Sequence, residues 1–106
     1  MSNDNHIDDI VEIAPEQHAV IFENDRIRML KVTVKPGNKV AIHRNPENVN
    51  YILRPGTLRL TSPDGGAQDV TLTEGQVIPA PVSAHAVENI GDAEVQTICV
   101  ELKGQT

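Results

Sequence analysis

From Val20 onward, short runs of β-branched and apolar residues alternate with polar ones, and clusters of Gly, Pro, Asn or Asp recur between them. That pattern confines the chain to an all-β fold. Leu30, Val32 and Val34 alternate with Lys31, Thr33 and Lys35, Leu58 and Leu60 with Arg59 and Thr61, and Val70 and Leu72 with Thr71 and Thr73. Each run buries one face of a strand and wets the other. Turns are expected at Pro36-Gly37-Asn38, Pro55-Gly56, Pro63-Asp64-Gly65-Gly66, Glu74-Gly75 and Gly91-Asp92, whose residues supply fixed or positive φ. The third of these, between the Leu58 and Val70 runs, reads as a hairpin. Strands this short and this closely spaced favour a sandwich or barrel, which closes its edges, over an open sheet.

The pattern changes before Val20. Ile7, Ile10 and Val11 have helical spacing, but Pro15 ends any helix there. Residues 1–18 are therefore expected to form an N-terminal arm, partly helical or mobile, ahead of a single domain over 19–106. A chain of 106 residues suits one core.

Charge is distributed unevenly. The formal net charge is −6, yet residues 1–25 carry seven acids and no Lys or Arg, while the rest carry eight acids and nine bases. The body is nearly neutral and has no basic stripe, which argues against nucleic acid or an anionic membrane as a partner. One Tyr, one Phe and no Trp leave little for base stacking. The single Cys99 has no internal disulfide partner, and no apolar stretch is long enough to span a bilayer. The acidic start lacks the basic and apolar regions of a secretion signal, so a cytoplasmic location is expected.

Two segments carry chemistry. The first contains Gly37, five further residues, then His43-Arg44-Asn45, and closes on Tyr51-Ile52-Leu53-Arg54-Pro55-Gly56. The second contains Gly75, Pro79, Pro81, His85 and Asn89. In their order and separation these segments resemble the two motifs of the cupin family, and the likeness extends from Val20 to Lys103. The resemblance implies a double-stranded β-helix, or jelly-roll barrel, commonly assembled as a homodimer. It assigns His43 and His85 to the metal-ligand positions and puts Asn45 where the second His of the first motif stands. The family's Glu falls near Asn48, with Glu47 one place earlier. In such a cupin a divalent transition metal (Fe, Mn, Ni, Zn or Cu) occupies this site.

On an extended strand His43 and Asn45 project from one face, so both enter the barrel. An amide oxygen is a far poorer ligand than imidazole for these metals, which ordinarily take three or four good donors. Two readings follow. In one, the lumen around His43, Asn45, Asn50 and His85 binds a small polar molecule, with at most a weakly held metal on His43, His85, Asn45 and, least directly, Glu47. In the other, a metal-dependent dioxygenase or isomerase acts on a small organic acid. Glu88 lies three residues beyond His85 and is expected on the opposite strand face, so a direct dyad is not expected unless a bulge intervenes. Asn89 shares the face of His85, and its simplest role is to cap the turn into Gly91. No base or second Cys near Cys99 in sequence activates its thiol.

Overall fold

The computed structural model describes residues 9–104; residues 1–8 of the expected arm lie outside them. Among the described residues nine strands follow one helical turn, α1 (Ile10–Ile13). They are β1 (His18–Glu23), β2 (Ile27–Val34), β3 (Lys39–Asn45), β4 (Asn48–Arg54), β5 (Gly56–Thr61), β6 (Ala67–Leu72), β7 (Val77–Ala80), β8 (Ser83–Asn89) and β9 (Val95–Leu102). All paired strands are antiparallel. They form a five-stranded sheet in the order β1-β2-β9-β4-β7 and a four-stranded sheet in the order β3-β8-β5-β6. This is the two-sheet jelly roll that the resemblance implied, and it agrees with the sandwich or barrel that the short alternating strands favoured.

The alternation decides what lies between the sheets. Leu30, Val32 and Val34 on β2, Ile52 on β4, Leu58 and Leu60 on β5 and Leu72 on β6 all turn inward. Two apolar clusters result. One joins Leu30 and Val40 to Ile10 and Ala14, so the turn of helix before β1 is docked onto the barrel. The other joins Ile52, Leu72 and Val95, with Leu58 and Ile78 against them.

The turns act through specific chemistry. Gly65 takes φ +93° at the tip of the β5–β6 hairpin, a conformation that L side chains rarely adopt. There Ser62 N–H donates to Gly66 O at 2.8 Å. Asn89, 1 % exposed, ties the β8–β9 turn to the rest of the barrel. Its Nδ2 donates to Val34 O and Ala93 O, each at 2.8 Å, and its Oδ1 accepts from Gly91 N–H at 2.9 Å. Among the described residues no helix is long and apolar enough to cross a membrane.

Candidate functional site

The inward faces enclose a lumen of about 580 Å³. Its lining is apolar over most of its extent, through Leu30, Val32, Val34, Ile52, Leu58, Leu72, Val87 and Val95. Polar groups are concentrated where β3, β8, β4 and β9 bring His43, His85, Asn45, Asn48, Asn50, Thr97 and Glu101 together with His18 from β1.

His43 and His85 are direct partners across the β3–β8 pairing. Their rings meet edge to face, with centroids 5.3 Å apart and planes inclined at 70°. A bulge makes this possible. Val40 pairs with Val87 and His43 with His85, so β3 spends one residue more than β8 between the two pairs. Val40 and His43, three positions apart, can therefore both point inward, which an unbroken strand forbids. They are 3 % and 2 % exposed.

Hydrogen bonds set the ring tautomers. His43 Nδ1 lies 2.8 Å from Ala41 O and His18 Nδ1 lies 2.9 Å from Ala14 O. A carbonyl only accepts, so both Nδ1 atoms carry the proton. Asn45 Nδ2 lies 3.2 Å from His85 Nε2 and donates to it, which places the His85 proton on Nδ1 in the neutral ring. Burial lowers the pKa of His85, and the nearby His43 lowers it further. Burial likewise lowers that of His18; the hydrogen bond to Ala14 opposes this shift, and His43 adds to it. Both rings therefore favour the neutral form at neutral pH.

The asparagines form a chain of their own. Asn50 Nδ2 donates to Asn48 Oδ1 at 2.7 Å, Asn48 Nδ2 donates to Pro46 O at 2.8 Å, and Thr97 Oγ1 donates to Asn50 Oδ1 at 3.4 Å. Glu101, 5 % exposed, faces the lumen and accepts from Arg28 Nε at 2.7 Å. Arg28 in turn donates to Asp9 Oδ1 at 2.6 Å, which pins the segment before α1 against the barrel end. Cys99 also lines the lumen, where burial first and Glu101 second push its thiol up to about 12. It is thus a poor nucleophile.

Of the residues singled out from the sequence, His43, Asn45, Asn50 and His85 line one lumen. Glu47 does not: it is exposed in the β3–β4 loop, where its backbone carbonyl accepts from Leu102 N–H at 2.9 Å. Glu88 faces away, paired with Lys39 and Arg59. His18 and Glu101 escaped the sequence reading. His18 precedes Ala19-Val20-Ile21-Phe22, which has no alternation to orient it, and only its pairing with Val32 turns it inward. Strand β9 is apolar on both faces, so its alternation hides which face Glu101 shares.

The donor set does not fit a tightly held transition metal. Among the described residues no three His, Cys, Asp or Glu side chains gather into a group that could hold one. Of the three residues at the expected ligand positions two are imidazoles and one is an amide, and His85 Nε2 already accepts from that amide.

The fold is that of the cupins, a double-stranded β-helix, and known structures share it. A cupin domain from Bordetella pertussis is 27 % identical and superposes with a TM-score of 0.76, over 82 % of this chain and 92 % of that one. A double-stranded β-helix protein from Klebsiella pneumoniae is 19 % identical with a TM-score of 0.66, over 82 % and 76 %. An RmlC-like cupin from Methanocaldococcus jannaschii is 16 % identical with a TM-score of 0.64, over 81 % and 78 %. No protein-family model and no curated protein matches the chain.

Proposed function

We propose that the protein binds a small, uncharged polar molecule in the lumen, its polar head at His43, His85, Asn45 and Asn50 and its apolar body toward Ile52, Leu58, Leu72 and Val95. One observation carries this reading: polar groups converge within a largely apolar lumen of about 580 Å³ whose described lining contains no Lys or Arg. A cavity of that size holds a small organic molecule, with a few polar groups fixing its orientation. Neutral imidazoles and amides donate to and accept from hydroxyl, carbonyl or amide groups. A carboxylate would enter beside Glu101 with no cation to meet it, at the cost of an unpaired buried charge. That asymmetry, with the poor donor set, favours binding of a neutral ligand over a metal-dependent reaction on a small organic acid.

The test is a ligand-observed NMR screen of small diols, lactones, amides and carboxylic acids against the wild-type chain and against Asn45→Leu and His43→Phe. Neutral compounds are expected to bind the wild type and to lose at least about tenfold in affinity in either variant, the scale of one buried hydrogen-bond partner. Preferential binding of carboxylates would sink the reading. Elemental analysis of protein purified without a histidine tag is expected to show clearly substoichiometric metal, and one equivalent of Fe, Mn, Ni, Zn or Cu would restore the enzyme alternative.

A further inference from the structure

Two carboxylates line the lumen, and they are held differently. Asp69, exposed on β6, is gripped by Arg59 through both of its oxygens, at 2.8 and 3.1 Å. Glu101, whose side chain is 6 % exposed, is held through one. Arg28 Nε donates to Glu101 Oε1 at 2.7 Å, while the two terminal nitrogens of Arg28 donate to Asp9, at 2.6 and 3.4 Å. An arginine can grip a carboxylate through two parallel N–H bonds. Because Asp9 takes the terminal pair, Glu101 receives Nε alone, and no described residue donates to its Oε2. Among the described residues no fully enclosed side-chain oxygen or nitrogen lacks a partner, so Oε2 is open to a cavity rather than sealed. Glu101 borders the lumen and also a smaller pocket of about 300 Å³, whose other charged residues pair with one another, Asp9 with Arg28 and Glu23 with Lys103.

Register sets this carboxylate at the polar head of the lumen. Glu101 stands opposite Asn48 on β4, and Asn48 accepts from Asn50, two residues on along the same face. The other polar groups of the head are amides, neutral imidazoles and a hydroxyl, each of which can both donate and accept. They adapt to whatever faces them. An ionised carboxylate does not, because it only accepts.

We propose that Glu101 is the specificity-determining residue of the lumen, its Oε2 accepting a hydrogen bond from a hydroxyl or amide N–H of the ligand. The site then selects neutral molecules that donate and rejects those that only accept. This rests on the reading of the lumen as a site for an uncharged polar molecule, and narrows it. A ketone, ester or lactone oxygen set against Oε2 brings two electron-rich atoms together and leaves a buried acceptor unsatisfied. An ammonium group is the poorer donor, because Arg28 already supplies a positive charge to Glu101 and a second buried cation would arrive without a counter-ion of its own.

The test uses two pairs of matched size, 2-piperidone against δ-valerolactone and cyclohexanol against cyclohexanone, in which only the first member donates. Dissociation constants from NMR titration of the wild type are expected to favour the donor of each pair at least about tenfold, the scale of one buried hydrogen bond. Glu101→Gln keeps an oxygen for Arg28 Nε and sets an amide nitrogen in place of Oε2, so the preference is expected to vanish or invert. A Glu101 with a merely structural role would weaken both members of a pair alike, and an unchanged preference in the variant overturns the inference. Should the variant not fold, the wild type decides: the side-chain carboxyl carbon resonance of Glu101 is expected to shift with 2-piperidone and not with δ-valerolactone, and equal responses to the two overturn the inference. Equal affinities within both pairs overturn it while leaving the neutral-ligand reading standing. A wild type that binds none of the four compounds also overturns it, and preferential binding of carboxylic acids in the broader screen overturns both.

Discussion

His43 and His85 reach each other because one extra residue in β3 re-aims the strand between Val40 and His43. At the level of single residues, the site's chemistry is then set by burial. With their pKa lowered below the ordinary 6.5, His85 and His18 bind fewer protons in the folded protein than in the unfolded chain. Stability therefore rises with pH wherever the unfolded imidazoles are being deprotonated, and it is lost as pH falls below about 6.5 toward the folded values. The melting temperature is expected to drop between pH 7 and pH 5, and to drop less in His18→Gln and His85→Gln; thermal melts by circular dichroism against pH check both. Equal slopes in wild type and variants would remove burial of neutral histidines as the cause.

Elements meet at positions where one atom decides. Gly56 opens β5 directly over Val95, and a Cβ built on it falls onto Val95 Cγ2. Val95 is 1 % exposed and packed on Ile52 and Leu72, so it has nowhere to move. Gly56→Ala is expected to cost about 1–3 kcal/mol through overpacking. Asn89→Ala removes three hydrogen bonds, two within the β8–β9 turn and one from that turn to Val34 at the end of β2, and a loss of about 2–4 kcal/mol follows. Urea titration measures each, with the slope unchanged if only the native contacts are affected. Both elements were legible in part. The Pro55-Gly56 turn and the capping role of Asn89 follow from residue type, whereas the crossing of Gly56 over Val95 joins residues 39 positions apart and leaves no local trace.

For the whole molecule, the lumen interrupts the core. A ligand that fills it binds the folded chain alone and raises stability by mass action, about 2.7 kcal/mol at a hundredfold excess over its dissociation constant. For a domain of this size that corresponds to at least ~10 °C in melting temperature. Differential scanning fluorimetry with hits from the neutral screen is expected to show it, and a true lumen ligand loses the effect in Asn45→Leu.

The sequence by itself determined the all-β class, the β5–β6 hairpin and the pairing of His43 with Asn45 on one inward face, because strand alternation and turn chemistry act over a few residues. The resemblance of the two motif segments to those of the cupins also implied the jelly roll and the meeting of His43 with His85. Tertiary structure alone decided the rest. It brought His18 and Glu101 into the lumen, left Glu47 outside and docked Ile10 and Ala14 onto the core. Each of those outcomes depends on register between segments far apart in the chain, and where both faces of a strand are apolar, as in β9, alternation carries no record of which face turns inward.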